Sequence, residues 1–507
     1  MNRLRHRELL LSLKASTIEA CFSVPMLNLT IPSFPFVIAF AVTALGWNAG
    51  AVGLMAALPH LCNLVQPVLA TALRRRMALY PIMVVTFIFT ALPWGFVSTL
   101  PFIQVPTRDL VFVIILSVAT LSNSLGAVSW SAAIGELVPP RISSRFFSRR
   151  NLIFGFWTLV TVTIASQVAE RGSNSLYTYG WIFAVAGLAR LAGLAFLTRM
   201  RFPVSVMVRQ PEPPSWKELT EPLRDSNYLR LALFIGMWGF LLNLSQPFYT
   251  MFLLQVAQRP VGDIGWLTAL AGFGGLITLP GWGLLCDRFG VKPVLYVASV
   301  LWAIVGLLSW SVAGPRWWWH LAFTYLITGG TTAGFQLCQF SLMLKLAPAN
   351  RTPYVAVFLA LTSALTAIGP VLGGFLLHVI PDHLGTFLGQ PIRDYHLLFG
   401  FSMLGCLLSV HLLSAVREEE AHPPETVWRT MQSMRAFNPL LIAQSAAGMI
   451  FSPGGLVALG RHSVRTLRRQ VRQIGDVGED LVDQSSRVLR PSKPGPAKPA
   501  PPKDPPS

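Results

Sequence analysis

Apolar runs of about 20 residues, the length of a membrane-spanning helix, recur along the first four-fifths of the chain between short polar segments. Only helices or closed barrels satisfy their backbone groups inside a bilayer. The pattern predicts an all-α, polytopic membrane protein with twelve transmembrane helices. The predicted spans are roughly 17–44, 50–72, 78–98, 110–136, 151–170, 178–198, 229–256, 263–285, 293–313, 318–344, 354–379 and 395–416.

An internal repeat divides these spans into two sets of six. The sequence LNLTIP at 27–32 returns as LNLSQP at 242–247, and GLMAAL at 53–58 returns as GWLTAL at 265–270. Parallel repeats of six helices are typical of one transporter architecture, so the repeat predicts two pseudo-symmetric six-helix bundles. The predicted units are an N-terminal half at 1–200, a central cytoplasmic linker at 201–228, a C-terminal half at 229–416 and a cytoplasmic tail at 417–507.

Composition agrees with the membrane class. The chain is 53% hydrophobic and 12% charged, whereas soluble domains carry about 25% charged residues. If the N-terminus lies inside, 21 basic residues of the core fall in inner segments and five in outer loops. The positive-inside rule then predicts a multi-pass protein of the cell (inner) membrane with both termini in the cytoplasm. Basic residues that set the topology also account for the net charge of +18, so no nucleic-acid partner is expected.

The tail has its own pattern. An apolar patch at 440–459 is interrupted by Pro453, which favours a surface or re-entrant segment over a thirteenth span. A basic stretch at 461–472 places apolar and arginine side chains on opposite helical faces, which suits a helix on anionic lipid, a helix that docks on a partner or a merely solvated helix. The Pro-rich end at 491–507 is predicted to be disordered.

The segment 281–293 reads GWGLLCDRFGVKP and lies between two apolar runs. It resembles the Gly-x-Leu-x-Asp-Arg-x-Gly-x-Lys loop of the major facilitator superfamily, where such loops brace the inner face between the second and third helix of each half. The corresponding first-half loop, QPVLATALRRRMALYP at 66–81, keeps the arginines but lacks the glycines and the aspartate. The resemblance implies a cytoplasmic gate. Its residues are Gly283, Asp287, Arg288 and Gly290, joined by Arg74 and by Glu136 at the end of span four.

The same resemblance implies a central substrate cavity lined by spans one, four, seven and ten. Polar residues in these spans fall on single helical faces, as expected where side chains face the bundle interior. Each amide has a second interpretation, since it can pin one helix to another instead of binding substrate. The cavity candidates are Asn28, Asn123, Trp130, Asn243, Gln246, Gln336 and Gln339.

Two charges fall inside apolar spans. Arg190 lies within span six, where an ionisable group is a functional candidate but can also snorkel or pack against span four. Glu19 lies near the cytoplasmic end of span one, and it suits either a coupling-proton site or an ion pair with Lys14 or an inner-loop arginine.

Catalytic, metal and cofactor sites are not predicted. The histidines are scattered over separate spans, the five cysteines show no ligand spacing, and no phosphate-binding loop is present. The sequence therefore predicts a monomeric secondary active transporter. It is expected to move a small, neutral or weakly charged organic solute by alternating access, with a coupling proton or ion left open. The alternative is a transport-inactive membrane assembly factor or receptor of the same fold that works through its tail.

Overall fold

The computed structural model describes residues 6–208, 220–315, 318–347, 351–387, 390–418 and 423–433, and the chain there is mostly helical. Two short 3-10 helices, Phe96–Phe102 and Glu221–Arg224, occur between the longer elements. In order, the α-helices and strands are α1 (His6–Leu29), α2 (Pro35–Thr43), α3 (Ala49–Arg74), α4 (Leu79–Gly95), α5 (Thr107–Leu137), α6 (Pro140–Arg171), α7 (Leu176–Leu197), α8 (Val204–Met207), α9 (Ser226–Gln255), α10 (Val261–Phe289), α11 (Val291–Trp310), α12 (Leu321–Leu346), α13 (Arg351–Val379), β1 (Gly385–Phe387), β2 (Gln390–Ile392), α14 (Asp394–Ser414) and α15 (Pro424–Ser433).

The predicted polytopic helical class is confirmed. Among the described residues, eleven helices are long and apolar enough to cross a bilayer. Spans two to six correspond to α3–α7, and spans seven to twelve to α9–α14. The predicted span ten, α12, is 26 residues long but contains a run of threonines, glycines and glutamines, which lowers its hydropathy. The predicted tail features beyond 433 lie outside the described residues.

Span one differs from its predicted form. Helix α1 begins at His6, eleven residues before the predicted start, so residues 6–16 form its first turns. The chain then leaves the helix at residues 30–34 and resumes as α2 at Pro35. Pro32 and Pro35 lack backbone N–H groups and so cannot continue the helical hydrogen bonds, whereas proline at a first helical position is favourable.

The segment 281–293 also differs, because almost all of it is helical. Helix α10 continues through Asp287 and Arg288 to Phe289, and α11 begins at Val291. Gly290 alone separates them, with φ of +93°, a conformation that a residue with a Cβ rarely adopts. The predicted loop is therefore one residue long, and a short hairpin of β1 and β2 between α13 and α14 was not predicted.

Matching aromatic clusters fill the two six-helix sets. In the first, Trp94 packs on Phe183 with ring centroids 4.7 Å apart; in the second, Trp310 packs on Phe399 at 5.3 Å. Each cluster is built from equivalent helices, at sequence offsets of 212 to 216 residues. The equivalent pairs are Phe36 and Tyr249, Phe40 and Phe252, Trp94 and Trp310, Phe112 and Tyr325, Tyr179 and Tyr395, and Phe183 and Phe399.

The two sets pack against each other through α3 with α13 and α6 with α10. At the start of α3, Gly53 lies against the carbonyl of Pro370, and Gly374 lies against the backbone of Ala49 and Gly50. A Cβ on Gly374 would stand 2.6 Å from the Ala49 carbonyl oxygen, so only glycine permits this approach. This end of the bundle, where α3 and α10 begin, is called the distal end, and the end where α1 begins is called the proximal end.

A polar contact joins the other pair of helices at the distal end. Glu170, in the last turn of α6, accepts a hydrogen bond from the backbone N–H of Gly262 at 2.9 Å. Gly262 lies in the first turn of α10, where the helix dipole and the unpaired N–H groups favour a carboxylate. Both pairs of helices are therefore in close contact at the distal end.

This packing predicts different effects of two glycine substitutions on the stability of the protein. Gly374→Ala introduces a methyl group against backbone atoms that cannot rotate away, and overpacking of this kind costs about 1–3 kcal/mol. Gly400→Ala in α14 enters open space and removes a helical glycine, so it should be neutral or slightly stabilising. Thermal unfolding of the purified variants, followed by tryptophan fluorescence, should show a lower midpoint for the first variant only. Equal midpoints would contradict the close approach of α3 and α13.

Candidate functional site

Glu19 and Arg190 form an ion pair inside the first six-helix set. Both residues are buried, and Arg190 is only 4% exposed. Arg190 Nη1 donates to Glu19 Oε1 at 2.8 Å and also to the hydroxyl of Ser23, which in turn donates to Glu19 Oε1 at 2.5 Å. The guanidinium lies 3.6 Å from the ring centre of Phe87. Arg190 thus does not snorkel to a helix end; it neutralises a carboxylate on α1.

A second arginine lies on the other side of the carboxylate. Arg150 Nη2 is 3.8 Å from Glu19 Oε2, which is too long for a hydrogen bond. Its guanidinium lies 4.3 Å over the ring of Trp130 on α5. The buried Nε of Arg150 and Oε2 of Glu19 have no hydrogen-bond partner among the described residues. These contacts join α1, α5, α6 and α7, and Glu19, Arg150 and Arg190 are called the charge cluster below.

A cavity of about 320 Å³ lies in the same half; its lining is mainly apolar but includes several polar side chains, and it is called the polar cavity below. It is bounded by α1, α3, α4 and α5, and Leu359 of α13 lines it from the other half. Within it, Ser124 donates to Asn63 Oδ1 at 2.6 Å. Its main polar lining residues are Thr30, Asn63, Gln66, Thr90, Asn123 and Ser124.

The charge cluster adjoins the proximal side of this cavity. On α1, Ser23 contacts the cluster and Met26 lines the cavity; on α5, Trp130 contacts the cluster and Ala127 lines the cavity. A step of three residues is about 4.5 Å along a helix. On α4 the same step separates Phe87 from the lining residue Thr90. Three helices therefore place the two features within about one turn of each other.

The paired asparagines of the repeat take different roles. Asn28 donates to the Val24 carbonyl at 2.9 Å and to Thr158 Oγ1 of α6 at 3.2 Å, so its amide links two helices of one half. Asn243 donates to the Gly239 carbonyl at 2.9 Å and lies beside His60 of α3, across the contact between halves. Neither amide lines the polar cavity.

The remaining cavity candidates lie apart from these residues. Gln246 on α9 and Gln336 on α12 are exposed, and Gln339 is half-buried. Of the seven candidates, Asn123 lines the polar cavity and Trp130 contacts the charge cluster. A substrate role for the glutamines stays a prediction.

The predicted gate residues lie at the proximal end, where an unpredicted acidic residue joins them. Glu418, beyond α14, accepts hydrogen bonds from the N–H groups of Val291 at 3.1 Å and Lys292 at 2.7 Å, so it caps α11 directly after Gly290. It also pairs with Lys345 of α12 at 2.8 Å. Helix α15, which follows, packs on α10 and α11. From the sequence, Glu418 is predicted only as part of the cytoplasmic tail at 417–507.

The other gate candidates differ in exposure. Asp287 is exposed, Arg288 lies 5.3 Å from the ring centre of Phe289, and Gly283 has open space around its Cα. Arg74 in the last turn of α3 is half-buried, and Glu136 near the end of α5 is exposed. Their gating role remains a prediction.

Sequence reasoning missed three residues of the site. The predicted span five begins at residue 151, which makes Arg150 a loop arginine, but α6 begins ten residues before it and brings it into the bundle. Asn63 and Gln66 share one face of α3 at i, i+3 spacing, a signal of an interior-facing stripe that the sequence contained. Among the described residues, no group of three His, Cys, Asp or Glu side chains is placed to hold a metal ion.

Comparisons with known proteins agree on the architecture. The sequence profile of the Major Facilitator Superfamily matches residues 239–460. A mutant of the nucleoside transporter NupG has a similar fold, with a TM-score of 0.64 at 13% identity over 80% of this chain and 100% of that one. The xylose transporter XylE from E. coli, in an inward-open conformation, gives 0.60 at 13% identity over 82% and 99%.

The human organic anion transporter MFSD10 gives a TM-score of 0.55 at 16% identity over 80% of this chain and 99% of that one. No match is found among curated protein sequences. The similar folds and the profile match over residues 239–460 agree with the resemblance to the major facilitator superfamily predicted from residues 281–293.

Proposed function

We propose that this protein is a secondary active transporter that moves a small organic solute across the cytoplasmic membrane by alternating access, with both chain ends in the cytoplasm. The observation that carries the proposal is the polar cavity of the first half, which Leu359 of the second half also lines. Polar side chains inside a bilayer are costly unless they face the bundle interior or a wet cavity, so the grouping of Asn63, Gln66 and Asn123 is best explained by water or a polar solute.

The packing between the halves supports alternating access. At the distal end, the two halves are joined by close backbone packing at Gly53 and Gly374 and by one hydrogen bond at Glu170. Contacts of this kind separate without unfolding a helix, so the halves can rock about the cavity. The similar proteins named above are transporters of nucleosides, xylose and organic anions, all of them small solutes.

Locking the distal contact should stop transport. In a variant whose five native cysteines are replaced by serine, Glu170→Cys and Gly262→Cys place two thiols where a hydrogen bond now joins the halves. A bifunctional methanethiosulfonate reagent should reduce solute uptake into proteoliposomes to background, and reduction should restore it. The solute is one found by screening radiolabelled metabolites with and without a pH gradient.

Each single-cysteine variant treated with the same reagent is the control and should keep its uptake. Full uptake by the cross-linked protein would show that the distal contact does not open during transport.

A polar lining residue should affect solute affinity. Ser124→Ala removes a hydroxyl that lines the cavity and orients the Asn63 amide; the loss of one solute hydrogen bond of about 1 kcal/mol corresponds to an approximately fivefold rise in KM. Ser117→Ala on the same helix is the matched control, because that exposed hydroxyl bonds only the Val113 carbonyl. Equal KM values for the two variants would contradict binding in this cavity.

The tail distinguishes the transporter from the alternative of an assembly factor or receptor. Truncation after residue 433 keeps α15 and the contact of Glu418 with α11, and it removes the part predicted to bind lipid or a partner. A transporter should retain uptake in proteoliposomes after this truncation. Wild-type protein that shows no flux with any solute, together with loss of a co-purifying partner on truncation, would favour the alternative.

A further inference from the structure

We propose that the charge cluster of Glu19, Arg150 and Arg190 binds the carboxylate of a monoanionic organic solute, whose polar or apolar body occupies the adjoining cavity. This inference rests on the proposed transport function and specifies its substrate class. The sequence predicted a neutral or weakly charged solute because spans one, four, seven and ten contain few charges. The two arginines come from α6 and α7 instead.

The charge count of the cluster leaves one positive charge uncompensated. Two guanidinium groups face one carboxylate, and the described residues supply no second acid in contact with them. Burying an ion without a partner costs several kcal/mol. A monoanion would bring the cluster to neutrality, whereas a dianion such as a phosphate monoester would leave it negative.

The geometry assigns the solute carboxylate to Arg150. The buried Nε atoms of both arginines have no hydrogen-bond partner among the described residues. Arg190 nevertheless bonds its carboxylate and a serine hydroxyl and lies on the face of Phe87. Arg150 instead has a 3.8 Å approach to Glu19, too long for a hydrogen bond, and the Trp130 ring. The planar fork of a guanidinium matches the two oxygens of a carboxylate.

The second half shows that the fold does not need these charges for packing. At the repeat offsets of 215 and 216 residues, Glu19 corresponds to Phe234 and Arg190 to Cys406, and both are fully buried. Phe234 packs on Phe335 at 6.4 Å. An apolar core therefore fills the equivalent place, and replacing buried ion pairs by apolar side chains is often stabilising. The first half instead has the Glu19–Arg190 ion pair at this place, beside a cavity, and ligand binding explains that pair better than packing does.

The test is equilibrium binding to the purified full-length protein in nanodiscs. The probes are acetate, hexanoate and benzoate, each compared with its amide and, for the longer two, with adipate and terephthalate as dianions. We expect at least one monocarboxylate to bind about tenfold or more tightly than its amide, which corresponds to about 1.4 kcal/mol, and more tightly than its dianion.

The variants are Arg150→Gln, which should abolish this preference, and Arg150→Lys, which keeps the charge without the fork and should retain part of it. Arg199→Gln is the matched control, because Arg199 also lies over an aromatic ring, Phe196, but is exposed. It should bind within twofold of wild type.

Equal binding of every carboxylate and its amide would overturn the proposal, as would an Arg150→Gln variant that keeps the preference. If Arg150→Gln does not fold, the wild-type comparison and Arg150→Lys decide the question. Binding needs no flux, so the two proposals fail separately. Solute uptake without any preference for monoanions rejects the charge cluster as a site, whereas binding without uptake rejects transport.

Discussion

The close approach of α3 to α13 is the contact on which the rest of the arrangement depends. Gly53 and Gly374 bring two helix backbones together at the distal end, where any larger side chain would hold them apart. Because helices in lipid gain little from hydrophobic burial against each other, such small-residue contacts are what joins them. This approach, together with the hydrogen bond from Gly262 of α10 to Glu170 of α6, sets the distance between the halves and so brings Leu359 to the wall of the polar cavity.

The two halves repeat each other in packing but not in chemistry. Trp94 and Trp310 occupy equivalent places in equivalent aromatic clusters, as expected if both halves must fill the same helical framework. The charge cluster and the polar cavity occur in the first half, whereas the place equivalent to the Glu19–Arg190 pair holds Phe234 and Cys406. In this account the first half binds the solute, and the second half provides an opposing wall that can move.

The sequence predicted the helical class and the family resemblance because these depend on local signals, namely hydrophobic length, repeats and the motif at 281–293. The charge cluster depends on contacts between residues that are distant in sequence. Glu19 and Arg190 are 171 residues apart, and nothing local shows that they meet. Arg150 was missed because the start of α6 was placed too late, which made a bundle arginine appear to be a loop arginine. The role of Asn28 was not predictable either. Its repeat with Asn243 is visible in the sequence, but only the structure shows that its amide bonds Thr158.

The most direct test of the account is a pair of spin-label distances measured across the halves in nanodiscs. One pair, at the exposed positions Tyr177 and Val379, reports the distal end; the other, at Thr198 and Ser414, reports the proximal end. Rocking of two rigid halves about a central cavity predicts that added solute shifts populations in opposite directions, so that the distal distance lengthens as the proximal one shortens. Distances that both stay single and unchanged, or that lengthen together, would contradict it.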